Sequence, residues 1–180
     1  MKNHKGVSES YARSGLRTIQ QYRSARGIGR GAAPRVDEFT ALIVNIYETT
    51  KGTVAKYESL FDDIDSSVYK TAVEKAKSIG IIDGTSSTKF TPDGLLTREQ
   101  AAKILCNVIS IINGVELELD GTPKYFDSGD ISNWATGFIA YAQENKIMMG
   151  DSTGRFNPRN SLTREEALIV AERLFVQYDW

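Results

Sequence analysis

The fold is decided by the stretch AKSIGIIDGTSSTKFTPDGLLTREQAA, residues 76–102, because residues 142–168 repeat it as AQENKIMMGDSTGRFNPRNSLTREEAL. The two stretches are 66 residues apart and are identical at 11 of 27 positions. Upstream, Phe61-Asp62 aligns with Phe126-Asp127 after a slip of one residue. This fixed period predicts two copies of one supersecondary unit, each of roughly 50 residues.

Each unit is predicted to be a helix, a loop and a second helix. Apolar residues at helical spacing predict the first helix of each unit. They are Val68, Ala72, Val73, Ala76 and Ile79 in one unit and Trp134, Phe138, Ile139 and Ala142 in the other. Gly84 and Gly150 are expected to make the following turn with a positive φ. The loop then ends in Phe-x-Pro, where the Phe ring is expected to close it onto the core.

The second helix of each unit should begin with a capping box, formed by Thr97 with Gln100 and by Thr163 with Glu166. Apolar residues then recur at helical spacing through both helices. Residues 113–125 join the two units. Within them, the alternation of apolar and acidic residues over Val115–Leu119 predicts a short strand.

A degraded third unit is predicted upstream. An amphipathic helix through Phe39 and Tyr47 aligns with Gln100–Val108 at a shift of 61 residues, which matches Glu38 to Glu99 and puts Asp37 in the position of Arg98. A first helix over Tyr11–Arg23 and a turn over residues 25–31 would complete this unit. The expected domains are 1–56 (a basic segment plus the degraded module), 57–120 and 121–180.

The charge of the chain is uneven. Residues 1–35 carry eight Lys or Arg against one acid, a net charge of +7, so the other 145 residues carry −8 of the total of −1. A basic segment on an acidic body is typical of a polyanion-binding protein. The same pattern also fits a basic helix docked on its own acidic body, or a solvated arm.

Several classes of function lack their sequence signals. Cys106 and His4 are single residues of their type, and no phosphate-binding loop or metal-ligand spacing occurs. We therefore expect no enzyme, no metal and no cofactor. No run of 18 apolar residues predicts a membrane span. Because MKNHKGVSES is not a secretory signal, the protein is either cytoplasmic or has its signal outside this sequence.

The order Phe-Asp, aromatic-bearing helix, Gly, Phe-x-Pro, Leu-Thr-Arg-Glu and Ala, found twice, resembles the surface-layer homology (SLH) family. The stretches that carry it are FDDID…IIDGTSSTKFTPDGLLTREQAA and YFDSGDISNWATGF…IMMGDSTGRFNPRNSLTREEAL. The resemblance covers residues 61–175 well and 10–56 poorly. It implies a mostly α-helical fold in which three modules pack as a pseudo-threefold bundle. It also implies an extracellular anchor whose inter-module grooves bind acidic, often pyruvylated, secondary cell-wall polysaccharide.

Arg98 and Arg164 are the strongest candidate ligand-binding residues. A cation in the first turn of a helix opposes the helix dipole at a cost of about 0.3–1 kcal/mol, so its presence twice needs a reason. A guanidinium beside free backbone N–H groups can bind a carboxylate. Alternatively, each arginine forms a salt bridge to Asp62, to Asp127 or to an acid of another module, and both roles can coexist.

Weaker candidates complete the predicted site. Lys89 and Arg155 could add positive charge or be solvated. Trp134 could cover a sugar face or belong to the core, and Tyr69 would stand in for it in the earlier unit. Asp62 and Asp127 could bind sugar hydroxyls, cap a helix or fix their own loops. Gly84 and Gly150 are turn residues first and sugar-packing residues second. With Asp37 in place of an arginine, at most two of the three grooves would bind.

Two further functions stay open. The fold could have lost glycan binding and serve as a structural or protein-interaction module. The basic segment could bind a polyanion or nucleic acid, although no nucleic-acid partner is expected for the repeats. Carboxylates are plentiful, but they recur with each unit, which favours loop and helix capping over one active site.

Overall fold

The computed structural model describes residues 32–58 and 60–177. These residues form five α-helices: α1 Val36–Lys51, α2 Lys70–Ser78, α3 Arg98–Asn113, α4 Thr136–Glu144 and α5 Arg164–Gln177. Two short 3-10 helices, Ser128–Asp130 and Asn133–Ala135, precede α4. Within the described residues there is no β-strand, only two isolated bridges, so the mostly-α prediction is confirmed. The helix expected over residues 11–23 and the turn over residues 25–31 lie outside the described residues.

Both predicted capping boxes are present. Thr97 Oγ1 accepts a hydrogen bond from Gln100 N at 3.3 Å, and Gln100 Oε1 accepts one from Thr97 N at 3.0 Å. Thr163 and Glu166 repeat the arrangement at 3.2 and 2.8 Å. Each box pairs two backbone donors that would otherwise have no partner at the helix start, and so fixes where α3 and α5 begin.

A single apolar core includes side chains from all five helices and from the loops between them. Phe90 and Phe156 are buried, as the Phe-x-Pro pattern predicted. Val68 is 84% exposed, so its predicted place on the apolar face is wrong. The reason is that α2 begins at Lys70, which leaves Val68 in the preceding turn.

The strand expected at Val115–Leu119 is also wrong. Gly114 ends α3 with a left-handed φ of 64°, and Val115 N then bonds back to Ser110 O at 3.1 Å. Ser110 Oγ in turn donates to Val115 O at 2.6 Å. The segment closes the helix end rather than pairing with a strand, which is how a left-handed glycine terminates a helix.

The repeat register upstream of each loop differs from the predicted one. The Phe61 ring packs on Phe90 with centroids 5.5 Å apart, and the Tyr125 ring packs in the same way on Phe156 at 5.2 Å. Phe61 therefore corresponds to Tyr125 rather than to Phe126, which is a slip of two residues. The sequence alignment was misled because Phe126 has the more similar side chain, although it is 85% exposed.

The register of α1 also needs correction. Val36 N donates to Gly94 O at 2.9 Å, as Arg98 N donates to Asn160 O at 3.0 Å. Val36, and not Asp37, therefore occupies the position of Arg98. Ungapped sequence matching could not find this offset because the side chains at the start of α1 differ from those of α3.

The helix starts are linked in a closed series. Arg164 N donates to Ala32 O at 3.1 Å, which completes the set begun by Val36 and Arg98. Each helix start thus bonds to a loop of a different unit. The second helix of one unit also packs against the first helix of the next, α1 against α2 and α3 against α4. The pseudo-threefold arrangement of the whole bundle stays a prediction.

Candidate binding site at the module interfaces

Arg98, the first residue of α3, reaches across to the loop of the last module. Its Nε donates to Phe156 O at 2.7 Å and its Nη2 to Met149 O at 2.8 Å. Its Nη1 pairs with Glu166 Oε1 at 2.6 Å, and the guanidinium lies 4.9 Å from the centroid of the Phe156 ring. Three of its five N–H donors are used in this way. The interface therefore offsets the unfavourable position of a cation at a helix start.

Arg164, the first residue of α5, makes a related contact with α1. Its Nε donates to Glu38 Oε1 at 3.2 Å, and its Nη2 pairs with Glu38 Oε2. The Glu38 side chain is 7% exposed, whereas that of Glu166 is 41% exposed. Both arginines thus form the salt bridge to an acid of another module that the sequence left open. Glu166 is the more accessible of the two carboxylates, whereas the Arg98 side chain, at 10%, is less exposed than that of Arg164, at 17%.

Among the described residues, the third interface has no such arginine–glutamate pair, and its ion pair instead joins Arg35 Nη1 to Asp93 Oδ1 at 3.2 Å. Val36 stands in the position of the arginine, and Gln100 stands in the position of Glu166. A pocket of about 460 Å³ opens there between α1 and the central module. Its lining includes Asp83 and Phe90, the counterparts of Met149 and Phe156 that hold Arg98.

Two residues outside the Phe-x-Pro loop of the central module, Trp134 and Lys103, also line this pocket. Trp134 lies in a 3-10 helix and is 48% exposed, so it is not a core residue. Lys103 Nζ lies 5.7 Å from the centroid of the Trp134 ring and 2.5 Å from Asp83 Oδ2. Sequence reasoning missed Lys103. The signal was that its repeat counterpart, Ile169, is apolar while Lys103 is charged.

The motif carboxylates hold their own loops. Asp127 is buried and accepts from Phe156 N at 2.8 Å and Asn157 N at 2.7 Å. In the central module this role belongs to Asp63, which sequence reasoning missed, and which accepts from Phe90 N at 2.9 Å and Thr91 N at 2.8 Å. Burial opposes the ionisation of Asp63, but the two backbone N–H groups outweigh it and lower its pKa.

Asp62 and Lys89 form an exposed pair beside the central loop. Lys89 Nζ lies 2.6 Å from Asp62 Oδ1, and this hydrogen bond raises the pKa of Lys89. Asp62 is thus not the counterpart of Asp127 that the sequence alignment made it. Arg155, the counterpart of Lys89, is exposed on the last module's loop, where its backbone N–H donates to Asp151 Oδ1 at 3.2 Å. These cations lie outside the lining of the pocket.

Tyr69 does not take the place of Trp134. It is partly buried near α1, and its pKa is raised by burial and then by the charges of Glu38 and Asp37. It does not line the pocket. The structure therefore brings Trp134 and Gly84 to the pocket, while Arg98, Arg164 and Tyr69 lie at other interfaces.

The two loop glycines are required for different reasons. Gly84 has the predicted positive φ, 92°, and a Cβ there would meet the Phe61 ring at 2.4 Å. Gly150 does not have a positive φ, so that prediction is wrong. A Cβ at Gly150 would instead meet the Tyr125 ring at 2.7 Å and Arg155 O at 2.8 Å. Close approach of the module's aromatic ring therefore explains the glycine there.

Cys106 is buried in α3, and its Sγ lies 3.5 Å from Phe138 O. Burial raises its pKa to about 12, which makes the thiolate scarce and the thiol a poor nucleophile. Separately, along the part of the chain that the structure describes, no helix combines the length and apolar character that a membrane span requires.

The fold and interfaces define a protein of tandem helix-loop-helix units. Residues 60–102 and 125–168 match the S-layer homology domain model. These two segments belong to the S-layer homology family. Domains of this family bind cell-wall polymers and anchor proteins at the cell surface; they are not catalytic. A cell-surface or cell-wall location follows from this membership.

The chain is similar to parts of much longer proteins. It is 27% identical over 154 residues to exoglucanase XynX of Acetivibrio thermocellus, covering 85% of this chain and 13% of that protein. It is 31% identical over 124 residues to the surface-layer 125 kDa protein of Lysinibacillus sphaericus, covering 66% and 10%. With the surface layer protein of Brevibacillus choshinensis it shares 26% over 110 residues, covering 61% and 10%. The chain thus spans about a tenth of these relatives.

Proposed function

We propose that this chain is a non-catalytic module that attaches a protein to the bacterial cell wall by binding an acidic, pyruvylated secondary cell-wall polysaccharide at its module interfaces. The observation that carries the proposal is Arg98, held at a module interface by two carbonyl oxygens and paired with a carboxylate that is partly exposed to solvent. Preorganised N–H donors beside a replaceable carboxylate suit an incoming carboxylate ligand.

Binding at Arg98 would proceed by carboxylate exchange. Glu166 leaves the guanidinium, and a pyruvate carboxylate of the polymer takes its place. Because the Glu166 side chain is 41% exposed, it can return to solvent, and the largely buried Arg98 guanidinium still has a carboxylate partner after the exchange. The carbonyl contacts at Phe156 and Met149 keep the guanidinium in place throughout.

Arg164 is the weaker of the two proposed anion sites. Its partner Glu38 is buried, and removing one member of a buried pair leaves an uncompensated charge at a cost of about 3–5 kcal/mol. A ligand carboxylate would have to displace Glu38 without leaving it unpaired in the interior. We therefore assign the first binding event to the Arg98 interface and a mainly structural role to Arg164.

The closed series of helix-start hydrogen bonds supports the pseudo-threefold bundle and the division into modules at 1–56, 57–120 and 121–180. In such a bundle the three interfaces face outward at regular intervals. A polymer that follows them can engage more than one interface, and linked contacts raise the overall affinity above that of one site.

The absence of catalysis is also part of the proposal. The motif carboxylates Asp63 and Asp127 are held by loop backbone N–H groups, and Asp62 is paired with Lys89. A paired-carboxylate hydrolase needs two carboxyl groups free to face one bond. These three instead serve local structure in each module.

Co-sedimentation with purified cell walls tests the function. Wild-type protein should sediment with walls that carry pyruvylated polymer and stay in solution with walls freed of that polymer. If the folded protein does not sediment with either preparation, the proposal is wrong for this polymer. A protein-interaction role is the second candidate, and it is favoured by the fact that both arginines already have partners within the chain.

A further inference from the structure

The interface between α1 and the central module repeats the groups that hold Arg98 in the last module, but it has no arginine side chain between them. We call such a set of groups an arginine slot. In the last module, the slot consists of Phe156 O, Met149 O and the Phe156 ring, all in contact with Arg98. Their counterparts, Phe90 and Asp83, line the pocket of about 460 Å³. The equivalent backbone bonds of Val36 and Arg98 show that a side chain from Val36 enters at the same place. Valine is too short to fill the slot.

Both members of the ion pair are replaced here by neutral residues. Val36 takes the place of the arginine, and Gln100 takes the place of Glu166. Had only one been replaced, a poorly compensated charge would lie at the interface. Lys103, the one cation among the described residues that line the pocket, lies 2.5 Å from the carboxylate of Asp83. The pocket is thus open without an excess of fixed charge.

The lining combines one aromatic face with hydrogen-bonding groups. Trp134 supplies a half-exposed ring, and Gln100 supplies a side-chain amide. The carbonyl oxygen of Phe90, whose counterpart Phe156 O accepts from Arg98, receives no hydrogen bond from the residues that the structure describes. The volume falls in the range of about 300–1,000 Å³ that is usual for small-ligand pockets.

We propose that this pocket binds an uncharged pyranose residue of the wall polymer, with its apolar face on the Trp134 ring and a hydroxyl donating to Phe90 O. The inference rests on the proposed function and deepens it, because it assigns a neutral subsite to this interface and the anionic subsite to Arg98. The sequence predicted no binding at this interface because it has no arginine. The pocket exists because no arginine side chain fills this space.

The substitution Val36→Arg tests the inference because it should fill the slot as Arg98 fills its own. The probe is wall polysaccharide treated with mild acid, which cleaves the pyruvate ketals and leaves a neutral polymer. Wild-type protein should bind this polymer in calorimetry, with affinity nearly independent of salt. Val36→Arg should weaken binding at least tenfold. Val68→Arg is the matched control, since it adds the same charge at a residue that is 84% exposed and outside the pocket.

Two additions keep the test decisive. Val36→Arg/Gln100→Glu rebuilds the ion pair found at the Arg98 interface and should melt at or above the temperature of Val36→Arg. If Val36→Arg does not fold, Trp134→Ala replaces it with the same expected loss of binding. Trp134 is half exposed, so this change spares the core.

The outcomes separate the inference from the proposed function. Neutral-polymer binding that Val36→Arg abolishes and Val68→Arg retains supports the neutral subsite. Binding of the acidic polymer alone, unchanged in Val36→Arg, overturns the inference and leaves the proposed function standing. Binding of neither polymer by folded wild-type protein overturns both.

Discussion

Val36 and Arg98 occupy equivalent positions at the starts of two helices. The Val36 side chain leaves a pocket open, whereas the Arg98 side chain fills the equivalent space. Each donates its backbone N–H to the loop of the following module, Val36 to Gly94 O at 2.9 Å and Arg98 to Asn160 O at 3.0 Å. The backbone frame is therefore shared, and the side chain decides the chemistry. One interface is cross-linked by a guanidinium, and the other is open to a ligand.

Arg98→Ala should destabilise the protein. The change leaves the buried Phe156 O without its donor, at about 1–3 kcal/mol, and also removes the donor to Met149 O at a partly exposed site. Urea unfolding measures this loss. Arg155→Ala, at an exposed loop position, should change the free energy of unfolding by less than about 0.5 kcal/mol. Equal effects of the two substitutions would contradict the structural role of Arg98.

Glu38→Gln and Glu166→Gln form a matched pair, since each carboxylate pairs with the first arginine of a helix. Glu38→Gln should cost roughly 3 kcal/mol or more, because the Glu38 side chain is only 7% exposed and its ion pair with Arg164 lies at a largely buried interface. Glu166→Gln should cost less, about 1 kcal/mol, because the Glu166 side chain is 41% exposed and Arg98 keeps its hydrogen bonds to Phe156 O and Met149 O. Chemical denaturation of both variants tests the order, and a larger loss in Glu166→Gln would refute it.

The sequence predicted the interactions between residues close together in the chain, but not those between distant residues. The capping boxes join residues three apart, so their pattern is readable from the chain. The partners of Arg98 and Arg164 lie 68 and 126 residues away and depend on how modules pack, which no local pattern encodes. The family resemblance supplied the interfaces as candidate sites. It did not predict which of the two arginines is better suited to bind a ligand. It also did not predict that the third interface contains a pocket.

The errors of register have the same origin. Alignment by residue type paired Asp62 with Asp127, but the loop hydrogen bonds select Asp63. It also put Asp37 in the position of Arg98, where the backbone bonds place Val36. A slip of one residue leaves most of the apolar pattern intact on a helix. It changes completely which polar side chain reaches a given interface.

Asp63 should make stability depend on acidity. Its pKa in the folded protein lies below the ordinary value of 3.8, so it stabilises the fold above that pH. This contribution is lost as pH falls from about 4 through the lower folded pKa. Urea unfolding from pH 2.5 to 7 should show a steeper acid loss for wild type than for Asp63→Asn. Identical pH profiles would rule out Asp63 as the source.

Gly84→Ala should destabilise far more than Gly114→Ala. Both glycines have a positive φ, 92° and 64°, so both substitutions carry backbone strain of about 1–2 kcal/mol. Only at Gly84 does the added Cβ also meet the Phe61 ring, at 2.4 Å, and Lys89 O, at 2.6 Å. At Gly114 nothing lies within 4 Å. Thermal melting of the two variants compares them, and similar melting temperatures would contradict the close approach of Phe61.

Calorimetric titration with purified, pyruvylated wall polysaccharide tests the central claim most directly, with wild type, Arg98→Ala and Glu166→Gln side by side. Glu166→Gln removes the competing carboxylate while its amide oxygen can still accept from Thr163 N, so the variant should bind more tightly than wild type. Arg98→Ala, shown to be folded, should lose most of the binding. Equal affinity in all three proteins, or no binding by folded wild type, would contradict carboxylate exchange at Arg98.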